Sequence, residues 1–267
     1  MAACALVSTS AHATDKKPSH IGSTSLCGDS YVRALLSDTA PERIAALSWQ
    51  SRDPKSLATP QEKKLPRIRD DLEVLLSRDL DHVVFGPFEG NTTTPFLKQA
   101  GISSIALNGA NDLDGVYENL RMMAESIGED EAQHRIEFDM MERVAALPMP
   151  VDHPKILYLS SAGFSAGPGT FVDHIITAAG GDNIITTAGW PRLDPEYLIQ
   201  LNPDVIVTGY YDDGIANLST GFARHKTVNR FIGEHKRVDL PGAWLICGSP
   251  YMIDAIEHLN RELMKPK

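Results

Sequence analysis

The sequence contains no long apolar run and no cluster of basic residues. No segment approaches the roughly 18 consecutive apolar residues of a membrane-spanning helix, so none is predicted. The formal net charge is −10. Without a basic face to meet phosphates, a nucleic-acid partner is not expected. A chain of 267 residues with 42% hydrophobic residues can bury a core, which predicts one large or two small globular domains.

Cysteine is also scarce, with three in the chain: Cys4, Cys27 and Cys247. There is no C-x-x-C motif, and the nine histidines have no paired spacing. We therefore expect no protein-bound metal and no cofactor, and a metal would arrive inside its own chelator. Cys27 and Cys247 either form a disulfide or are two small buried hydrophobic residues.

The N-terminal residues have features of an export signal. Residues 1–7 are apolar, and Ala11-His12-Ala13 has the small-x-small form of a signal-peptidase site. We interpret residues 1–22 as a signal remnant followed by a tail, which predicts a periplasmic protein. One alternative is that Cys4 is a lipoprotein cysteine and anchors the chain to lipid. Another is a disordered cytoplasmic N-terminus.

Strands and helices alternate on both sides of one long amphipathic helix. That helix is predicted at residues 130–147, after Gly128 and before Pro148, with apolar residues at steps of three and four. Residues 23–128 are predicted to form an N-terminal lobe, 129–149 the linking helix, and 150–267 a C-terminal lobe. Each lobe is expected to be an α/β, Rossmann-like unit, with a mainly parallel sheet flanked by helices.

Individual elements follow from the same patterns. The first strand is predicted at residues 23–26 and the last at 243–246. Residues 50–70 are predicted to form a loop that covers some other part of the chain. Other strands are predicted at 43–47, 82–85, 104–107, 156–159, 183–185 and 205–207, and other helices at 71–78, 95–100, 112–127, 171–179, 195–201, 227–231 and 252–263.

An internal repeat links the two lobes. Glu73, Asp81 and Gly86 recur at the same offsets as Glu196, Asp204 and Gly209, each set reading as helix, turn, buried strand and glycine. The repeat predicts two related lobes. The two glutamates have two interpretations of equal weight: they stabilise the positive ends of their helices, or they dock a partner that presents paired basic pockets.

Aromatic residues make up 7% of the chain and concentrate in loops that follow predicted strands. Open parallel sheets bind ligands beyond the carboxyl ends of their strands, and large rings suit a broad, partly apolar ligand. Any one of these residues could be a core or loop anchor, but as a set they predict a binding site. The candidate ligand-binding residues are Trp49, Arg52, Phe88, Phe164, Trp190, Arg192, Tyr210, Tyr211 and Tyr251.

Residues 163–167 match the G-x-S-x-G nucleophile elbow of α/β hydrolases, between a predicted strand and a predicted helix. An exported hydrolase using Ser165 is therefore an alternative function. Its partners would come from Asp204, Asp212 or Asp213 and from His225 or His235, without a distinguishing signal. Pro168 and Gly169 stand where the elbow helix should already run, which counts against this alternative.

Nearly the whole chain resembles the cobalamin and ferric-siderophore binding proteins of ABC importers, whose two lobes are joined by one rigid helix. The motifs that carry the resemblance are SLCGD at residues 25–29, PERIAALS at 41–48, TTTPFLKQAGI at 92–102, GGDNI at 180–184, WPRLDPEYLIQLNPDVIVTG at 190–209 and CGSPY at 247–251. One departure is Leu80, which stands where the family usually has proline.

The resemblance implies a binding protein and not an enzyme. A chelate (cobalamin, a ferric siderophore or haem) would be held between the lobes, with Trp190 packed on it and Arg52 or Arg192 meeting its acidic groups. Glu196 and Glu73 would dock into the transmembrane subunits of the importer. The expected protein is a monomer whose lobes close only modestly. A sensory protein with the same two lobes would have the same sequence features.

Overall fold

The computed structural model describes residues 17–210 and 221–265, and it shows two parallel sheets joined through one helix. The first sheet contains β1 (Ile21–Ser23), β2 (Ile44–Ser48), β3 (Arg67–Ile68), β4 (His82–Phe85) and β5 (Ser103–Ala106). The strand order is β3-β2-β1-β4-β5, with all pairs parallel.

Four helices accompany this sheet: α1 (Leu26–Leu36), α2 (Leu72–Leu76), α3 (Thr94–Gln99) and α4 (Leu113–Ile127). Their N-termini explain why they start where they do. Ser25, Asp71 and Asp112 each accept a hydrogen bond from a backbone N–H of the first turn of α1, α2 and α4, respectively. Gly128 ends α4 in the left-handed conformation, at φ 72°.

Helix α5 (Asp130–Ala145) follows directly and connects the two lobes. Ala132 and Met140 are buried, and Ile136 and Val144 pack against the same core from partly buried positions. The predicted apolar stripe is therefore the face that the helix buries. The hydrophobic cluster that α5 joins contains residues of both lobes. One face of the helix therefore packs against both lobes.

The second sheet contains β6 (Lys155–Ser160), β7 (Asp182–Asn183), β8 (Val205–Gly209) and β9 (Lys236–Leu240), in the order β7-β6-β8-β9 and again all parallel. Its helices are α6 (Phe171–Ala178), α7 (Pro195–Leu198), α8 (Lys226–Gly233) and α9 (Met252–Leu263). The predicted fold class is confirmed. The lobe boundaries at 128/129 and 149/150 stay a prediction.

Two predicted strands were wrong. The first strand ends at Ser23, and residues 26–29 belong to α1, because the Ser25 hydroxyl caps the helix at Gly28 N (3.1 Å). Residues 243–246 contain a 3-10 helix, Gly242–Trp244, after the Pro241 turn. The strand of that region is β9, whose alternation of charged and buried residues marks an edge strand.

The loop predicted at residues 50–70 holds two short elements. A 3-10 helix spans Glu62–Lys64, and β3 adds to the edge of the first sheet beside β2. A two-residue strand with one buried residue gives no periodicity, which is why the sequence pattern did not show it.

Several contacts fix the lobes to each other and α5 to the second lobe. Cys27 and Cys247, one from each lobe, form a disulfide with their Cα atoms 5.9 Å apart. Nearby, the Tyr31 hydroxyl donates to the Gly248 carbonyl (2.9 Å). Arg143 of α5 pairs with Glu257 of α9 (Nη2 to Oε2, 2.7 Å). The open question about the two cysteines is answered in favour of a disulfide.

Within the part of the chain that the structure describes, no helix is both long enough and apolar enough to cross a membrane.

Candidate functional site

A cavity of about 490 Å³ lies at the carboxyl ends of β6 and β8, between the second lobe and a loop of the first. Strand β6 delivers Tyr158 and Ser160 to it, and Tyr210 follows the last residue of β8. Phe164 and Trp190 complete an aromatic wall on the second lobe. This is the edge of a parallel sheet at which ligands bind in open α/β folds.

Two loops that pair with each other form the aromatic wall. Residues 163–167 run antiparallel to residues 189–193, with a bridge between Phe164 and Arg192. The Leu193 N–H donates to the Gly163 carbonyl (2.9 Å), and the Gly167 N–H donates to the Gly189 carbonyl (2.8 Å). These hydrogen bonds fix the backbone that carries Phe164 and Trp190.

Trp190 is fixed from behind by other rings. It packs edge-on against Tyr158, with ring centroids 6.5 Å apart, and against Phe171 at 5.4 Å. Both partners are buried, whereas Trp190 keeps 46% of its surface exposed. A large ring held rigidly and still open to solvent provides contact area at little cost in entropy.

A smaller cavity of about 220 Å³ continues the cleft on the first lobe. Its lining is more polar than the aromatic wall and includes Ser25, Gln50, Asp53 and Glu89. Lys55 lies in the linings of both cavities, and its Nζ is 5.3 Å from the centre of the Tyr210 ring. The cleft therefore has one aromatic side and one polar side, with Lys55 between them.

Two aromatic residues at the ends of strands have strained backbones. Phe88, after β4, has φ 71°, and Tyr210, after β8, has φ 65°. Both lie in the left-handed region that bulky side chains rarely adopt, and such strain concentrates at functional sites. Phe88 is 94% exposed, so its conformation does not serve to bury the ring.

The last residue of β2, Ser48, is hydrogen-bonded to a buried carboxylate. Asp29 of α1 accepts hydrogen bonds from the Ser48 N–H (2.9 Å) and from the Ser48 hydroxyl (2.6 Å). Burial raises the pKa of Asp29 from about 3.8 to about 6, against the lowering effect of these two hydrogen bonds. The contact fixes the backbone directly before Trp49.

The structure brings three of the predicted ligand-binding residues together: Phe164, Trp190 and Tyr210 line one cavity. Trp49 and Phe88 are exposed at the carboxyl ends of β2 and β4, on the other lobe. Tyr211 lies outside the described residues.

Arg52, Arg192 and Tyr251, like Trp49 and Phe88, line neither cavity. Arg52 donates from Nε to the Lys63 carbonyl (2.9 Å), which ties its own loop together. Arg192 is exposed at the bridge to Phe164. The Tyr251 hydroxyl accepts from Arg33 (3.3 Å), and burial raises its pKa. Tyr251 is thus engaged by α1.

Sequence reasoning missed Lys55, Tyr158, Ser160 and Ser161, which line the main cavity. Tyr158 stands inside a buried strand and reads as a core residue, with only 1% of its surface exposed. Lys55 lies in a charge-rich loop where no pattern distinguishes one lysine from its neighbours. The prediction that this loop covers another part of the chain was the one available signal.

The hydrolase alternative is wrong. Ser165 has no exposed surface, and its hydroxyl donates to the Tyr158 carbonyl (2.6 Å). Helix α6 starts only at Phe171, after the Thr170 cap, so residues 163–167 form no strand-to-helix elbow. His235 contacts the Phe231 carbonyl through Nδ1 (2.7 Å), so that nitrogen is engaged within its own segment.

In the described ranges, no group of three or more His, Cys, Asp or Glu side chains is arranged to hold a metal ion.

The two candidate docking glutamates are exposed on opposite lobes. Glu73 lies in the first turn of α2, and Glu196 in the first turn of α7. Asp70, just before α2, accepts from the Gly90 N–H (2.8 Å), which brings the start of α2 to the loop after β4. Glu196 follows the loop that carries Trp190. Each glutamate is therefore close in the chain to the cleft side of its lobe.

Curated relatives are substrate-binding proteins. A cobalamin-binding protein of Halobacterium salinarum is 31% identical over 169 residues, which cover 60% of this chain and 46% of that protein. A vitamin B12-binding protein of Pectobacterium atrosepticum is 24% identical over 202 residues, or 69% of this chain and 70% of that protein. The chain thus spans less than half the length of the Halobacterium relative. No protein-family model matches the chain.

Solved structures share the fold. The periplasmic haem-binding protein HutB of Vibrio cholerae superimposes with a TM-score of 0.72 at 20% identity, covering 92% of this chain and 99% of that one. The resemblance read from the sequence is confirmed: this chain is related to substrate-binding proteins, and it has their two-lobe fold.

Proposed function

We propose that this chain is the substrate-binding component of an ABC importer, and that it captures a metal chelate between its two lobes. The observation that carries the proposal is the aromatic cavity between the lobes, at the carboxyl ends of β6 and β8. The named relatives bind cobalamin, vitamin B12 or haem. The cargo proposed here is of that class: cobalamin, a ferric siderophore or haem.

The two sides of the cleft suit different parts of such a ligand. Trp190, Phe164 and Tyr210 offer ring faces and edges to a broad, partly apolar surface. Ser25 and Gln50, on the other side, offer polar groups to its substituents. The metal arrives already coordinated, so the protein supplies shape and polar contacts. No bond to the metal is part of the proposal.

Binding needs little movement of the lobes. The disulfide between Cys27 and Cys247 and the Tyr31 to Gly248 hydrogen bond join the lobes, and the Arg143 to Glu257 pair joins the linking helix to the second lobe. A cleft held in this way is preorganised, which lowers the entropy cost of binding. We propose modest closure only.

Delivery would use the two exposed glutamates. Glu73 and Glu196 occupy matching positions of the internal repeat, one on each lobe, and each is close in the chain to the cleft side of its lobe. A permease that presents a basic pocket to each would bind both lobes at once. The protein is proposed to act in the periplasm as a monomer, lipid-anchored if Cys4 is lipidated, and to catalyse no reaction.

The first test is a binding titration of the chain from about residue 14 onward, after the predicted signal-peptidase site. Cobalamin, haem and a panel of ferric siderophores are added to the protein, and quenching of tryptophan fluorescence is followed. Saturable one-to-one binding of one chelate at micromolar or tighter affinity supports the proposal and names the cargo. If none of them binds, the proposal fails in this form.

The docking step has its own test. Glu196→Lys and Glu73→Lys should leave chelate affinity unchanged and impair uptake of the chelate in cells that depend on this importer. Glu118→Lys, at an exposed position on α4, is the matched control and should transport normally. Normal uptake by both docking variants would contradict the role of the glutamates.

A further inference from the structure

Lys55 has a position that no other cation of the cleft shares. In the described part of the chain, it is the one lysine or arginine in the lining of either cavity, and it belongs to both linings. It comes from the first lobe, whereas the ring beneath its ammonium group, Tyr210, belongs to the second. The side chain therefore spans the mouth of the cleft.

The carboxylates beside Lys55 are engaged elsewhere. Asp53 accepts from the backbone N–H of Lys55 (3.0 Å), which shapes the loop. Glu89 accepts from the Thr24 hydroxyl (2.6 Å) and the Gly86 N–H (2.8 Å). Among the described residues, no carboxylate comes within ion-pair distance of the Lys55 ammonium. Its charge is met by the face of a ring.

A ring face is a weaker partner for an ammonium group than an oxyanion is. Cation–π contacts contribute roughly 0.5–2 kcal/mol, and a charge-assisted hydrogen bond to a carboxylate or phosphate is among the stronger polar contacts. An acidic substituent on a ligand that covers Trp190 and Tyr210 would therefore draw Lys55 from the ring to itself.

We propose that Lys55 is a specificity-determining residue that recognises an oxyanion, a carboxylate or a phosphate, at the edge of the bound chelate. The inference rests on the proposed function and deepens it. The aromatic wall takes the broad surface of the ligand, and Lys55 selects ligands that carry acid at the rim. Arg52 is a poorer candidate for this role because its Nε is committed to the Lys63 carbonyl.

The experiment uses two pairs of probes, and one member of each pair lacks the oxyanion. Haem is compared with haem dimethyl ester, which lacks free carboxylates. Cobalamin is compared with cobinamide, which lacks the phosphodiester together with the ribose and the base, so for this pair the informative quantity is the change in preference that Lys55→Met causes. Each probe is titrated by absorbance into the wild-type chain, Lys55→Met and Lys55→Arg. Lys55→Met keeps most of the side-chain stem and removes the charge, and Lys55→Arg keeps the charge.

In the pair that contains the natural class of ligand, the acidic member should bind the wild type at least about tenfold more tightly than its partner. Lys55→Met should reduce this preference to about twofold or less by weakening the acidic member alone, and Lys55→Arg should retain most of it. Added salt should weaken the preference in the wild type and leave the Lys55→Met variant unaffected, because only the charge contact is screened. A haem pair that responds identifies a carboxylate, and a cobalamin pair that responds identifies a phosphate.

Two outcomes overturn the inference. If Lys55→Met weakens both members of a pair equally, Lys55 acts through shape and not through charge. If the wild type binds both members of each pair equally, no oxyanion is recognised, although the proposed function stands because the chelates bind. If none of the four probes binds at all, the proposed function fails for these chelates, and the inference fails with it.

Discussion

The two lobes start an inner strand in the same way but present different surfaces to the cleft. Asp81, before β4, donates its N–H to the His20 carbonyl at 2.8 Å, and Asp204, before β8, donates its N–H to the Lys155 carbonyl at the same distance. The carboxylate of each aspartate also accepts from the backbone at the start of the neighbouring strand. The repeated aspartate thus joins two adjacent strands in both lobes.

The repeated glycines have matching roles too. A Cβ at Gly86 would lie 2.4 Å from the Ser25 hydroxyl, and one at Gly209 would lie 2.5 Å from the Tyr158 hydroxyl. A side chain at either position would force these neighbours to shift. Immediately beyond these glycines the lobes diverge, with the aromatic wall on the second and a polar lining on the first. The repeated residues therefore belong to the shared fold of the lobes, and the two cavity linings are where the lobes differ.

The largest expected effect comes from removing the disulfide that links the two lobes. Replacing Cys27 and Cys247 together by serine should lower the free energy of unfolding by about 2–5 kcal/mol, because the disulfide restricts the unfolded chain. Urea denaturation measures the change. Reductant should lower the wild-type midpoint to that of the double variant and leave the variant unaffected. A wild type insensitive to reductant would show that the bond does not couple the lobes.

The next prediction uses a carboxylate that the first lobe buries more deeply than the second. Asp29 has 3% of its surface exposed, whereas Asp173, which accepts from Asn183 of β7, is only partly buried. Burial raises the pKa of Asp29 to about 6, so the native state binds more protons than the unfolded state between about pH 4 and 6. Stability should therefore fall as the pH rises through this range, by up to roughly 3 kcal/mol from this group.

Asp29→Asn should remove this part of the pH dependence, measured as denaturation midpoints from pH 4 to 7. Ser48→Ala should extend the fall to higher pH, because it removes the hydroxyl that donates to the ionised form. A slope that Asp29→Asn leaves intact would place its origin in another group.

The third prediction compares a tryptophan from each side of the cleft. Trp190→Ala should weaken chelate binding about 30-fold or more, near the 2 kcal/mol typical of a buried aromatic anchor. Trp49→Ala should weaken it less, because Trp49 does not line the main cavity. Calorimetric titration avoids dependence on tryptophan fluorescence, and thermal melts check folding. Unchanged affinity in Trp190→Ala would remove Trp190 from the site.

The smallest effect concerns the repeated aspartates themselves. Asp81 accepts from the Ser19 N–H, the Ser19 hydroxyl and the His20 N–H, whereas Asp204 accepts from the Lys155 N–H. Asp81→Ala should therefore be less stable than Asp204→Ala by about 1–2 kcal/mol, the contribution of two further hydrogen bonds at the surface. Urea titrations of both variants test this. Equal losses would mean that the additional bonds in the first lobe contribute nothing.

Much of the fold was predictable because its signals are local. The signals that predict α5 all lie within about twenty residues: its periodicity, the glycine before it and the prolines after it. The internal repeat predicted two similar lobes. The failures were short or at edges. Residues 23–26 were predicted as a strand, but they include Ser25, the N-cap of α1. Strand β9 was missed because it is short and has only two buried residues among charged ones.

Some of the residues that line the candidate cleft could be predicted from the sequence, and others could not. Loops after strands indicated Phe164, Trp190 and Tyr210, because topology places strand ends at one edge. Lys55 reaches the cleft through the path of a long loop, and the disulfide joins residues 220 positions apart. No local pattern carries such contacts. Ser165 is an opposite case, in which a local pattern misled. Residues 163–167 match the hydrolase motif, but Ser165 is buried and cannot act as a nucleophile.

The covalent link between the lobes also has a consequence for binding rates. Because the disulfide joins the lobes, and because Trp190 and Phe164 remain open to solvent, a ligand can reach the aromatic wall without a prior opening of the lobes. Its residence time is then set by how strongly the walls hold it. Under the proposed function, such a protein binds its ligand quickly, and release then depends on weakening the contacts that the cleft makes with it.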